Sequence, residues 1–445
     1  MREKYNVAVV GATGNVGREI ISILEQRDFP IDDLYVLASS RSKGKKINFR
    51  DEDLIVEDLA EFDFSKVHIG LFSPGGTISA EFAPKAAAAG CIVIDNTSHF
   101  RMKEDVPLIV PEVNADVLQE FFDDENRSNI IANPNCSTIQ MVVALKPLHD
   151  AAIINRVVVS TYQSVSGAGK EAMDELFSQT QHIYANKPVE KNKFTKQIAF
   201  NAIPHIGSFV ENGNTEEEEK MINETKKILD AGIKVSATCV RVPIFIGHAE
   251  SINIELDSPL SDKQATEILS NFENISVVDH RKDEGYVTPV EAAGEDKVYV
   301  SRIREDHTVE NGNTEEEEKM INETKKILDA GIKVSATCVR VPVFIGHAES
   351  INIELDSPLS EKQATEVLSN FENISVVDHR KDEGYVTPVE AAGEDKVYVS
   401  RIREDHTVEN GLNIWVVSDN LRKGAALNAV QIAEIVCESY LEKIY

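Results

Sequence analysis

The stretch NPNCSTIQMVVALKPL places Cys136 directly before a helical pattern of apolar residues (Ile139, Val142, Val143, Leu145), after an Asn-Pro-Asn turn. A thiol at a helix N-terminus meets the positive end of the helix dipole and nearby N–H donors. Its thiolate is then favoured at neutral pH and can serve as a nucleophile. A buried structural cysteine accounts for the residue equally well, and Cys91 and Cys437 read that way. A nucleophile also needs a base. The strand-like passage RVPIFIGHAESINIEL offers Arg241 and His248, and it returns almost unchanged with Arg340 and His347. A histidine on a strand is more commonly packed or exposed than catalytic.

A second chemistry lies at the start of the chain. In YNVAVVGATGNVGREIISILEQ an apolar run leads into a glycine turn (Gly11, Gly14, Gly17), and a helix with Val16, Ile20, Ile21 and Leu24 on one face follows. Strand, glycine turn and helix form the context in which such glycines let backbone N–H groups reach a pyrophosphate. After the next strand, an acidic residue for a ribose 2′-hydroxyl is replaced by SSRSKGKK, with Ser39, Arg41 and Ser42. Hydroxyls and a guanidinium suit a 2′-phosphate and so favour NADP, although a basic surface loop fits the same residues. Further strand-like runs (KVHIGLFSPGG, CIVIDN, NIIANPN) alternate with helical EFAPKAAAAG, which predicts a parallel sheet with helices on its faces. The turn holding Ser73 and Gly75 then falls at a strand C-terminal end, where such sheets bind ligands.

The bulk composition narrows the class. The chain has 445 residues, a formal charge of −29 and five cysteines without a C-x-x-C pair. Nucleic acid and anionic membrane surfaces are poor partners for that charge. No metal site, no membrane span and a cytoplasmic location are expected.

The chain also repeats itself. Asn214–Gly312 recurs as Asn313–Gly411, an offset of 99. Only three positions differ: Ile244 against Val343, Asp262 against Glu361, and Ile268 against Val367. The second copy contributes −10 to the net charge. Two copies are too few for a solenoid, which needs roughly three stacked units. The repeat therefore reads as a tandem duplication inside one domain. Removing one copy leaves 346 residues. VENG stands before, between and after the copies and reads as a polar surface turn. Each copy starts with a capped helix (Asn214 or Thr215, then Glu216–Glu219) and continues in strands.

These pieces together resemble the bacterial aspartate-β-semialdehyde dehydrogenases over essentially the whole chain less one copy. The resemblance rests on GATGNVGRE, LASSRSKGK, DNTSHFRM, VPEVN, NPNCSTIQ, TYQSVSGAGK, RVPIFIGHAES and VVSDNLRKGAALNAVQIAE, in that order. It implies an α/β fold: a Rossmann-type doubly wound parallel sheet plus an α+β substrate and dimerisation domain. The NADP-binding domain would hold residues 1–135 and 421–445, and the substrate domain 136–420.

By the same resemblance Cys136 would be the nucleophile, Gln163 its orienting neighbour, and His248 or His347 the general acid and base. Arg241 or Arg340 would hold the substrate carboxylate, and Glu217 or Glu316 its ammonium. Arg101, Asn135 and Lys220 or Lys319 would bind the phosphate. Gly11, Thr13, Gly14, Asn15 and Val16 would cradle the NADP pyrophosphate; Gly167 and Asn420 would lie by the nicotinamide. Glu219 stands where the family commonly has an apolar residue, which blurs the choice of glutamate. A homodimer or dimer of dimers is implied.

The implied reaction is NADP-dependent reductive dephosphorylation of β-aspartyl phosphate through a Cys thioester, on the route to lysine, threonine and methionine. N-acetyl-γ-glutamyl-phosphate reductase chemistry is the nearest alternative, and the glutamates expected to meet a free ammonium argue against it. A phosphorylating dehydrogenase of the glyceraldehyde-phosphate type fits the NADP signal less well. The other alternative is a binding or assembly protein inactivated by the duplication. Only one copy can complete a site that has a single Cys136. The second is preferred, because VYVSRIREDHTVENGLNIWVVSDN then makes a short-range hairpin. The surplus copy, lacking a partner sheet, is expected to be partly disordered, exchanged between subunits or aggregation-prone.

Overall fold

The computed structural model describes residues 4–280, 285–306, 313–381 and 383–439. The VENG junction between the copies falls outside the described residues. The chain forms two compact units, Met1–Lys146 with Asn223–Gly232, and Pro147–Ile222 with Ile233–Tyr445. Residues 421–439, expected with the nucleotide domain, group with the second unit.

The first unit runs β1 (Tyr5–Val10), α1 (Asn15–Gln26), β2 (Ile31–Ala38), β3 (Lys46–Phe49), β4 (Glu52–Ile55), β5 (Glu57–Asp58) and β6 (Ile69–Phe72). It continues with α2 (Gly76–Ala88), β7 (Ile92–Asp95), α3 (Pro111–Asn114), α4 (Val117–Asp123), β8 (Ile130–Ala132) and the start of α5 (Cys136–Ala151). Six strands form one parallel sheet in the order β5-β2-β1-β6-β7-β8. Val7, Ala8, Val9 and Val10 are wholly buried, as an interior parallel strand covered on both faces requires. Ile21 and Leu24 of α1 join Val7, Val9 and Val36 in one core cluster. With β2 on one side of β1 and β6 on the other, the strand order reverses at β1, and the loops after β1 and β6 border the crevice where such sheets bind ligands.

The second unit contains β9 (Ile154–Gln163), α6 (Lys170–Tyr184), β10 (Lys234–Arg241), β11 (His248–Leu256), α8 (Asp262–Ser270), β12 (Ile275–Val277), α9 (Pro289–Ala292) and β13 (Val298–Val300). The helix α7 (Glu216–Ile228) precedes β10. From the second copy come α10 (Glu315–Ile327), β14 (His347–Glu354), α11 (Glu361–Ser369), β15 (Ile374–Val376), α12 (Pro388–Ala391) and β16 (Val397–Asp405). β17 (Gly411–Ser418) and α13 (Leu427–Ser439) end the chain's described elements. Three sheets result: β10-β9-β11, β14-β17-β16-β15, and the pair β12-β13.

The repeat is resolved in an unexpected way. The hairpin of β16 with β17 forms as the sequence predicts. The preference for the second copy fails elsewhere, because the structure takes the start of the first copy and the end of the second. Glu218 on α7 is buried against Arg401 at 2.6 Å, with Arg403 3.9 Å away. Arg403 also donates to Ala237 O and Thr238 Oγ1 beside β10. Both choices are the short-range ones. The first α7–β10 is the nearer to β9 along the chain, and the second β15–β16 is the nearer to β17. What remains, the end of copy one with the start of copy two, builds a partial replica. Arg302 pairs with Glu317 at 2.7 Å, and Arg304 donates to Ala336 O and Thr337 Oγ1. The replica of β10 is missing: residues 333–341 form no strand, having no second β9 to pair with. The surplus thus keeps its local contacts and the pair β12-β13, and lacks the strand that would correspond to β10.

Candidate functional site

The nucleotide cradle lies in the first unit. Gly11 has φ +86°, and a Cβ there would come within 2.8 Å of the Ser73 backbone. A Cβ on Gly17 would stand 2.3 Å from Gly11 O, so the helix can approach its own turn only with glycine there. Gly11 and Ala12 N–H donate to Leu37 O, and Ser73 N–H to Val10 O, which locks the two turns together. α1 starts after Gly14, which has no side chain to cap the helix. Thr13, Asn15 and Val16 line this turn, with Asn15 and Val16 exposed. Gly75, φ +94°, opens α2 with empty space where a Cβ would stand. Ser39 and Arg41 are exposed on a single helical turn following β2, and Ser42 Oγ accepts from Lys45. These residues fit a dinucleotide: bare backbone at a helix N-terminus, and a guanidinium free of ion pairs among the described residues.

Cys136 is the first residue of α5 and is exposed. Asn135 caps the helix, its Oδ1 accepting from Ser137 N–H (3.0 Å) and Thr138 N–H (3.3 Å). Its own N–H donates to Glu224 at 2.6 Å, and the other oxygen of that carboxylate takes Arg101 Nη1 at 3.0 Å. Arg101 also donates to Asn133 O and Asn96 O. Arg101 and Asn135 therefore meet through Glu224, which the sequence showed only as one more acid on an acidic helix. Cys91 is buried as expected, and burial pushes its thiol up to about 12. Cys437 is exposed on α13, contrary to the buried role expected for it.

In the second unit the C-terminal ends of β9 and β10 converge on the start of β11. Gln163 is opposite Arg241 in one register and opposite His248 in the other. Gln163 Nε2 donates to Thr161 Oγ1, and Arg241 Nη1 donates to Ser164 O at 2.5 Å. Ser164 N–H donates to His248 Nδ1 at 3.2 Å, and Ser164 Oγ lies 3.1 Å from the same nitrogen. With a backbone donor aimed at Nδ1, the neutral ring carries its proton on Nε2. Burial first and the Arg241 charge second hold this imidazole below its ordinary 6.5, against the Gly247 carbonyl and Glu217. Gly167 faces the pair: a Cβ there would lie 3.2 Å from Arg241 Nη1 and 3.7 Å from His248 Nε2. Ser164 was not anticipated, although its place directly after Gln163 at a strand end was visible.

On α7 Thr215 and Glu218 form a reciprocal cap, and Glu217 pairs with Lys220 at 3.1 Å. Glu218 faces inward and Glu219 accepts from Asn212 and Asn214, leaving Glu217 as the glutamate paired with a lysine beside the histidine. The second-copy counterparts are not gathered. Glu316, Lys319, Arg340 and His347 are exposed, and Lys319 pairs with Glu315 instead. Asn420 accepts from Gly346 N–H at 2.8 Å, in the second unit.

Comparison with known proteins gives the following. The semialdehyde dehydrogenase NAD binding domain matches residues 6–121, and the semialdehyde dehydrogenase dimerisation domain matches twice, at 145–312 and 306–423. An aspartate-semialdehyde dehydrogenase of Rickettsia typhi is 51% identical over 99% of this chain and 100% of its own. One from Legionella pneumophila is 41% identical over 100% of this chain and 99% of its own. The crystal structure of aspartate semialdehyde dehydrogenase II complexed with ASA, from Vibrio cholerae, is 40% identical with a TM-score of 0.63, covering 99% of this chain and all of that one.

Proposed function

The chain belongs to the aspartate-semialdehyde dehydrogenase family, and from that membership we propose that it reduces β-aspartyl phosphate to aspartate-β-semialdehyde with release of phosphate, in amino-acid biosynthesis. The observation that carries this reading is the exposed Cys136 thiol at the capped start of α5. The helix terminus favours its thiolate. The thiolate attacks the acyl carbon, the C–O bond to phosphate breaks, and a thioester forms. Bound NADPH supplies the hydride. Collapse of the resulting hemithioacetal breaks the C–S bond and returns the thiolate, and His248 moves the proton at Nε2.

The other residues bind and orient. Arg241 takes the α-carboxylate, Glu217 the ammonium, and Arg101, Asn135 and Lys220 the phosphate, while Gln163 orients the reacting group. Gly11, Thr13, Gly14, Asn15, Val16, Ser73 and Gly75 hold the dinucleotide, with Gly167 and Asn420 beside its nicotinamide. NADP over NAD is supported by Arg41 between Ser39 and Ser42. On this reading residues 1–135 with 421–445 serve the nucleotide and 136–420 the substrate and the dimer, and the enzyme works in the cytoplasm.

The test is phosphate-dependent reduction of NADP with aspartate semialdehyde. The unaltered protein should turn over. Cys136→Ser should lose roughly three orders of magnitude or more in kcat, while its circular dichroism stays the same. A serine variant with full activity would falsify the assignment.

A further inference from the structure

The heptapeptide INETKKI stands at 222–228 on α7 and again at 321–327 on α10. Its charged residues meet opposite fates. Glu224 is buried and Lys227 half-buried, whereas Glu323 and Lys326 are exposed. Local sequence therefore does not bury Glu224; what it meets does. From Asn223 to Gly232 the chain belongs to the first unit. There each oxygen of the Glu224 carboxylate has a partner on a different loop. Oε1 accepts from Arg101 Nη1 at 3.0 Å, and Oε2 from Asn135 N–H at 2.6 Å. The same guanidinium donates through Nε to Asn133 O and through Nη2 to Asn96 O, so it spans the ends of β7 and β8 and the helix. One helical turn further on, the Lys227 ammonium donates to three carbonyls of the segment that carries Arg101. These are Arg101 O (2.8 Å), Lys103 O (2.7 Å) and Val106 O (2.8 Å).

We propose that Glu224 is a positioning residue, which holds the Arg101 guanidinium and the turn before Cys136 in one arrangement and thereby commits the first copy's helix to the site. The inference rests on the phosphate role proposed above for Arg101 and Asn135. A carboxylate is needed because both of its partners donate. An amide in its place offers a single oxygen. With that oxygen on Asn135 N–H, its NH2 group faces the Arg101 guanidinium, donor against donor; turned over, it faces Asn135 N–H in the same way. Lys227 acts on the other side of the pair, fixing the backbone from which Arg101 projects. Arg101, Asn135 and Cys136 each occur once outside the repeat, so the copy that supplies this carboxylate supplies the site. Glu323, with the same neighbours in sequence, is left on the surface.

The test compares E224Q with E323Q in the full chain. E224Q should raise KM for phosphate by at least roughly tenfold and lower kcat by about tenfold, with KM for NADP unchanged. E323Q should leave all three as they are. A fold merely loosened by loss of a buried ion pair would lower kcat alone, because the folded fraction keeps its KM. E224Q with an unchanged KM for phosphate therefore overturns the proposal, and so does E323Q losing as much as E224Q. If E224Q does not fold, K227M takes its place: it leaves the carboxylate intact and should raise KM for phosphate, and no rise overturns the proposal. Hydrogen exchange supplies a readout independent of turnover. The amides of residues 135–138 should exchange at least about tenfold faster in E224Q than in E323Q or the unaltered protein. An unaltered protein that does not turn over aspartate semialdehyde refutes the functional reading instead. Equal exchange in the two variants would then refute the positioning by itself.

Discussion

Arg156 occurs once in a unit where much else occurs twice, so no second copy can stand in for it. Its guanidinium reaches Glu255 on β11, Asn352 on β14, and Asp405 and Thr407 at the end of β16. Replacing it with methionine keeps the stem and removes the charge. Breaking a buried ion pair costs about 3–5 kcal/mol, chiefly through the charge left behind. Here Asp405 still accepts from Thr407 N–H, Thr407 Oγ1 and Asn352, and Glu255 is half exposed to water. The low end therefore applies, about 3 kcal/mol. At 2–4 °C per kcal/mol for a unit of this size, the midpoint of thermal unfolding should drop by roughly 6–12 °C. The assay is intrinsic fluorescence. Trp415, the single tryptophan, is buried on β17 and donates to Val386 O. Burial pushes the Asp405 carboxyl up, but hydrogen bonds from Thr407, Asn352 and Arg156 hold it below 3.8. The gap between R156M and wild type should accordingly close as pH falls through that folded value. An R156M midpoint within a degree of wild type at neutral pH would refute the idea that this guanidinium ties the sheets.

Two further outcomes are expected. Arg41→Glu should raise KM for NADP by at least roughly tenfold and leave KM for NAD nearly unchanged, since on the proposed NADP reading a cation becomes an anion beside the 2′-phosphate; equal effects on both cofactors would show that Arg41 does not read the phosphate. Acid should destabilise the second unit. Burial raises the Glu218 pKa, but Arg401 and Arg403 outweigh it and leave it below 4.5. The stability this carboxylate supplies is complete above its unfolded value and disappears as pH falls through the folded one. The half-buried Asp378, shifted upward by desolvation, acts in the opposite sense. A Trp415 melting midpoint unchanged from pH 6 to pH 3 would contradict that sign.

The glycine turn after β1 and the capped start of α7 were legible because each depends on neighbours a few residues apart, and the parallel sheet because strand-like and helical runs alternate along the chain. Gly17 is required by Gly11 O, six residues away, and Thr215 by Glu218 three residues on. The convergence of Gln163, Arg241 and His248 was reached only through resemblance, because strand pairing across dozens of residues leaves no local trace. Ser164 and Glu224 were missed for the same reason: their partners His248, Arg101 and Asn135 are all distant in sequence. The division of the repeat was illegible for another reason. Two passages of the same composition have the same propensities, and only their distance along the chain from β9 and β17 separates them. At the end of the repeat β16 lies next to β17 along the chain, and at its start α7 and β10 of the first copy are the nearer to β9.

The cysteine inside the duplicated head turns this asymmetry into a chemical meter. Cys239 is fully enclosed beside Met221, with burial pushing its thiol well above 9.0, whereas Cys338 lies half open in the unpaired replica. Since VSATCVR is the same heptapeptide at both places, a gentle alkylating reagent should stop at half-modification of that peptide, and the remaining half should react only on denaturation. Uniform early modification would mean that the two heads trade places freely.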